Sequence, residues 1–313
     1  MTSTTPQRAV PWRSRRGVLS WHACLVLAGA AAGPWVLASH VWAQQPAAPP
    51  VAPLDAGLPA AAPAPPVLTR EQQETFLREA RIIRTRSAPG GVTGSLRVTL
   101  SDGVYTHDAH LQSVDEAKTF FRGERGVELN FRDTWRYNVA AYRLSVLLGL
   151  DMVPVTVERR SQQGPAAFTW WVDDVQMDEA TRMKKKIRAP DTRVWNQQMY
   201  VVRVFDQLIY NVDRNLANLL ITNDWQVWMI DHTRAFRLHG TLRAPGDLKG
   251  CDRALLARLE SLDKPTLERE LSPWLEKGAI DALLTRRDAI VEFFKHAPPD
   301  ALFDLPRQAP VAP

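Results

Sequence analysis

Residues 205–236 read FDQLIYNVDRNLANLLITNDWQVWMIDHTRAF, and the fold is decided there. An amphipathic run breaks at Asn211-Val212-Asp213-Arg214-Asn215, a turn too rich in Asn and Asp to continue a helix. Two apolar runs, Leu219–Ile221 and Val227–Ile230, flank Thr222-Asn223-Asp224, which predicts a hairpin whose second strand runs into Asp231. Asp213, Asn218 and Asp231 then come from one loop, one strand start and one strand end, and can converge. Phosphoryl transfer needs such parts: one carboxylate to accept a hydroxyl proton, and an amide oxygen and a second carboxylate to hold a divalent cation against phosphates.

DRNLAN followed by MIDHTRAF resembles the DRxxxN and ID-x-x-x-A-F signatures of atypical kinases. These include the phosphoinositide 3/4-kinases, the HipA-like kinases and the Golgi secretory kinases. The resemblance implies an α+β, two-lobed protein-kinase-like fold with a small antiparallel-sheet lobe (about 69–174) and a mainly helical large lobe (about 175–297). It implies Asp213 as catalytic base, Asn218 and Asp231 as ligands to Mg²⁺ or Mn²⁺, and ATP or another nucleotide as cofactor. Arg214 would brace the loop or touch a phosphate. Trp171 and Val172 would form the hinge that meets the nucleobase, whereas Trp170 reads as core.

Upstream, Thr69 caps a helix predicted to reach about Arg84, and the Ser87–Gly91 stretch breaks it. Alternation at Val92, Gly94, Leu96, Val98 and Leu100, then Ser101-Asp102-Gly103 and Val104 to about Val114, predicts a hairpin. Gly90, Gly91 and Gly94 do not form a GxGxxG loop. Asp133 or Thr134 is expected to cap the helix TWRYNVAAYRLSVLLGL, and Met152–Arg159 with Ala166–Val172 predicts a further hairpin. The predicted order is helix, two strands, helix, two strands. A long helix from Thr192 to Tyr210 and helices at 252–262, 264–271 and 275–295 complete the reading.

Two charges of the resembled family are missing. Where related bacterial proteins read A-x-x-K and W-x-x-E-V-A-A-Y, this chain has Ala109-His110-Leu111-Gln112 and Trp135-Arg136-Tyr137-Asn138-Val139-Ala140-Ala141-Tyr142. Gln112 stands for the phosphate-pairing Lys and Asn138 for its Glu brace, so the two are expected to hydrogen-bond to each other. The alternative pair is Lys118 or Arg122 with Glu116, Glu124 or Glu128. Two functions stay open: a phosphotransferase, and a pseudokinase used as a binding scaffold. The substrate is not written in the sequence.

Residues 1–43 carry Arg8, Arg13, Arg15 and Arg16 before an apolar stretch, with Val41-Trp42-Ala43 as a cleavage site, which predicts an export signal. Ser14-Arg15-Arg16-Gly17-Val18-Leu19 resembles the twin-arginine type, so the domain is expected in the periplasm or outside the cell. The alternative is an uncleaved inner-membrane anchor facing the periplasm; cleavage would leave no stable membrane insertion. The whole chain carries +5, and removing four arginines and no acid leaves about +1, which argues against nucleic acid as a partner. Only Cys251 would remain, which excludes an intrachain disulfide. G-x-S-x-G and HExxH are absent, so a classical hydrolase is excluded. Residues 44–68 are a Pro/Ala-rich linker and 298–313 a flexible tail. The basic cluster Lys184-Lys185-Lys186 reads as a solvated helix face or a site for an acidic partner.

Overall fold

The computed structural model describes residues 67–88, 95–123 and 126–306. The expected signal (1–43), most of the linker and Gly90, Gly91 and Gly94 lie outside the described residues. Helix α1 (Arg70–Glu79) opens on a capping box in which Thr69 and Gln72 exchange side-chain bonds to each other's backbone N–H. It stops five residues before the predicted end, because Arg81–Ser87 forms strand β1, which pairs with β2 (Ser95–Ser101). Every residue of β1 is exposed, so no inward alternation marks it as a strand. Strands β3 (Thr106–Gln112), β6 (Thr156–Ser161) and β7 (Gly164–Trp170) complete an antiparallel sheet of order β1-β2-β3-β7-β6.

Pleating divides that sheet's work. Val98, Leu100, Ala109 and Leu111 are buried in the core, while Ser95, His110 and Gln112 line the cleft. Helix α2 (Arg136–Leu147) packs on β6 and β7, and Tyr142 Oη donates to Glu74 Oε1 of α1 at 2.8 Å. Between β3 and α2 the chain inserts a ribbon absent from the predicted order, β4 (Asp115–Gly123) and β5 (Gly126–Thr134), which pair only with each other. Asp133 therefore ends a strand. The N-cap of α2 is Trp135, with no side-chain cap bond, and Thr134 Oγ1 accepts from Arg136 N at 3.3 Å.

Past the hinge, β8 (Val175–Asp178) joins β9 (Leu219–Thr222) and β10 (Val227–Met229) in a three-stranded sheet; the last two are the predicted hairpin. Helix α3 (Glu179–Lys185) leaves Lys184, Lys185 and Lys186 exposed. Helices α4 (Thr192–Leu208), α5 (Arg253–Ser261), α6 (Lys264–Leu271) and α7 (Lys277–Lys295) build the large lobe. Strand β11 (Cys251–Asp252) pairs in parallel with β12 (Leu302–Phe303). Within the expected tail this pairing places Leu302–Phe303 on the large lobe, and Leu305 N donates to Asp252 Oδ1 at 3.0 Å. Among the described residues no helix is long and apolar enough to cross a membrane.

Arg286 of α7 has no solvent exposure. Its guanidinium donates to the carbonyls of Leu208 at 2.8 Å, Arg237 at 3.0 Å and His239, joining α7 to the end of α4 and to the segment after residue 236. Burial pushes it down to about 10, so it stays charged at neutral pH. Arg286→Ala removes the donor from three carbonyls, two of them in buried bonds, and is expected to cost about 3–5 kcal/mol. Urea titration checks this, and a loss below about 1 kcal/mol would show the tie to be incidental.

Candidate active site

The lobes enclose a cleft of about 430 Å³. Asp213, Asn218, Asp231, Gln112, Asn138, Trp171 and Val172 all line it. After α4, Tyr210 turns the chain through a left-handed conformation (φ 48°). Asn211 then holds the loop: Oδ1 accepts from Asp213 N at 3.0 Å and Nδ2 donates to Asp206 Oδ1 at 3.2 Å. Asn215 caps the 3-10 turn Leu216–Asn218 by accepting from Asn218 N at 3.1 Å, which fixes where Asn218 enters β9.

Arg214 braces this loop. Its Nε and Nη2 fork onto Asp206 at 3.0 and 3.1 Å, and Nη1 donates to Ile230 O at 2.6 Å and Asn218 O at 3.2 Å. Of its two predicted roles, the side chain is committed to the brace. Ile230 N also donates to Asn218 O at 3.0 Å, so the residues just before Asp231 are locked to the start of β9.

Asp231 itself lies in the left-handed region (φ 55°), where Asp is one of the few tolerated side chains. Thr233 Oγ1 donates to its Oδ1 at 3.0 Å, and the carboxylate is exposed to the cleft. Next to it, His232 is buried against Phe205, and burial holds its imidazole well below the usual histidine range, so it is neutral.

The expected Gln112–Asn138 hydrogen bond is not formed. Asn138 Oδ1 accepts instead from His232 N at 2.7 Å, clamping α2 to the residue after Asp231. Gln112 ends β3 almost fully buried, and its Oε1 has no partner among the described residues. The short amide of Asn138 is used to satisfy a backbone N–H that would otherwise be buried unpaired. Trp171, expected as a hinge residue, donates its backbone N–H to Asp108 O at 3.2 Å, and the Arg97 guanidinium lies 4.0 Å from its ring centre. Trp170 stacks on His107 at 3.7 Å in the core.

Three further residues line the cleft, none of them given a catalytic or ligand-binding role in the sequence. Asp133, at the end of β5, faces Asp231, and its Oδ1 is buried without a partner. Burial first, with the charge of Asp231 adding to it, pushes its carboxyl up against the opposing bond from Thr233. The backbone bond from Thr134 N to Thr233 O at 3.0 Å holds the two segments together. His110 sits on β3 with Nε2 2.5 Å from Ser95 Oγ, and burial pushes it down. Arg234 lines the cleft and pairs with Glu128 of β5. A signal for Asp133 existed in the strand-like run GVELNFRDT before the helix.

Among the described residues no three or more His, Cys, Asp or Glu side chains are grouped to hold a metal. Asn218, Asp231 and Asp133 all line the cleft and carry only oxygen as donor atoms for a cation. Such a set suits a hard cation whose remaining ligands come from a phosphate chain.

The fold is that of kinase-like proteins. A hydra Fam20 protein solved with sugar superposes with a TM-score of 0.54 at 15% identity, over 75% of this chain and 92% of that chain. The Golgi casein kinase gives 0.50 at 13% identity, over 76% and 79%. Its form with Mn/ADP bound gives 0.50 at 13% identity, over 71% and 74%. No protein-family model and no curated protein matches the sequence. At these identities the shared property is the two-lobed architecture.

Arg214→Ala would leave Asp206, only 14% exposed in its side chain, as an uncompensated carboxylate. The expected loss is about 3–5 kcal/mol, with the 211–215 loop losing amide protection first in hydrogen exchange. Unchanged protection there would show that the loop is held by other contacts.

Proposed function

We propose that this chain is an exported kinase-like protein that binds a nucleotide through a divalent cation and transfers its terminal phosphoryl group to a hydroxyl acceptor. The observation that carries the reading is the convergence of Asp213, Asn218 and Asp231 on one cleft, on loops laced by a single arginine. Asn218 and Asp231, with Asp133 beside them, would hold Mg²⁺ or Mn²⁺; when bound, the cation neutralises charge on the phosphates. The Mn/ADP-bound neighbour supports this choice of ligand by analogy of fold.

In the transfer, the acceptor oxygen forms a bond to the terminal phosphorus while the bond to the departing nucleoside diphosphate breaks. Asp213 takes the hydroxyl proton. Trp171 and Val172 offer a hinge for the base, and Asn138 holds the Asp231 segment through His232 N. The export signal read in residues 1–43 supports a location outside the cytoplasm, and the exposed lysines 184–186 are offered to an acidic partner. A second reading, a nucleotide-binding scaffold without transfer, is favoured by one observation: the strand position that should carry a cation holds the uncharged Gln112.

Thermal melting with Mn²⁺ and ATP tests the site. At ligand one hundredfold above Kd, linkage predicts about 2.7 kcal/mol of stabilisation. Asp231→Asn should abolish the shift while melting normally without ligand, because Asp231 is exposed. A wild-type chain that shows no shift with any nucleotide and metal would overturn the reading. Turnover of ATP by the shifted protein separates transferase from scaffold.

A further inference from the structure

The cleft is poor in positive charge for a site that would hold polyphosphate. Asp133, Asp213 and Asp231 face it, and among the described residues the only Lys or Arg lining it is Arg234. Three carboxylates and a phosphate chain repel one another, and a single divalent cation does not balance them. Gln112 contributes only an amide, one oxygen of which is buried without a partner.

Arg234 stands between the acids. It follows Asp231 by three residues, and its carbonyl accepts from Val212 N at 3.4 Å, beside Asp213. Its guanidinium is 4.7 Å from the centre of the Phe131 ring and pairs with Glu128 through Nη2, while Nε is buried with no partner. Glu128 is shared: its other oxygen lies 2.5 Å from Arg237. One carboxylate thus answers two guanidiniums, so Glu128 does not fully neutralise Arg234, and its Nε is left without a partner among the described residues. The β4–β5 ribbon, through Glu128 and Phe131, sets where that guanidinium rests.

We propose that Arg234 is the phosphate-binding cation of this cleft, taking over from the far side the charge that β3 lacks at Gln112. This rests on the phosphate-site reading above. A guanidinium can fork onto two phosphate oxygens, which the lost lysine could not do. The site keeps its cation while Gln112 and Asn138 stay neutral.

The test uses the full chain and calorimetric titration with ADP or adenosine, each with Mn²⁺. Arg234→Gln should weaken ADP about tenfold or more and leave adenosine unchanged. Arg234→Lys, which keeps the charge and loses the fork, should weaken ADP by only a few-fold. Adding Gln112→Lys to Arg234→Gln should restore ADP affinity, because a cation again reaches the phosphates. Phenylglyoxal modification of Arg234 in the wild-type chain, followed by peptide mass spectrometry, needs no variant to fold; Mn²⁺ with ADP should protect it and adenosine should not. Wild-type ADP affinity in Arg234→Gln, or no protection by ADP, overturns the proposal and leaves the phosphate-site reading standing. A wild-type chain that binds no ADP overturns both.

Discussion

Arg214 holds three partners at once, and the geometry of the site rests on that brace. Two nitrogens grip Asp206 at the end of α4, and the third reaches the carbonyls of Ile230 and Asn218. These are the backbone groups that flank the three motif residues. The guanidinium ties the loop carrying Asp213 to the strand end carrying Asp231, beside the backbone bond from Val212 N to Arg234 O. The ion pair is largely buried, so its Coulomb attraction is little screened, and each remaining N–H has a carbonyl to satisfy. A lysine could not span the same set, because a compact ammonium lacks the planar fork. Arg286 repeats the arrangement one layer below, where a buried arginine draws three carbonyls to α7.

The small lobe meets this base through the backbone following Asp231. Asn138 of α2 accepts from His232 N, Thr134 N donates to Thr233 O, and Glu128 of the ribbon pairs with Arg234 and Arg237. Helix α2 and the β4–β5 ribbon therefore bear on the same six-residue segment, 232–237. The Lys–Glu pair of the kinases that the sequence resembles has no counterpart at Gln112 and Asn138, and the helix residue serves the segment's backbone instead. An uncharged Gln112 is compatible with a stable lobe because no buried carboxylate is left facing it.

Much of this was legible locally. The 205–236 stretch carries its own turn chemistry, and the hairpin β9–β10 follows from two apolar runs around Thr222-Asn223-Asp224. The helices of the large lobe show their apolar faces in the sequence. What escaped is set by distant partners. Strand β1 has charged residues compatible with a helix and becomes a strand by pairing with β2. The β4–β5 ribbon lacks a continuous inward face, with Phe120 and Leu129 paired and exposed, so its alternation does not announce a core. Missing it turned Asp133 into a presumed helix cap. The bond from His232 N to Asn138 spans 94 residues, and no local pattern records it. The placement of Leu302–Phe303 likewise depends on β11.

The central claim is that Asn218 and Asp231 hold a divalent cation in this cleft. A crystal structure of the chain grown with Mn²⁺ and ADP, with anomalous scattering measured for manganese, tests it most directly. The account predicts one strong anomalous peak bonded to Asn218 Oδ1 and an Asp231 carboxylate oxygen, at roughly 2.0–2.6 Å as for oxygen-bound hard cations. Manganese bound elsewhere, or a cleft containing ADP with no metal at Asp231, would contradict it.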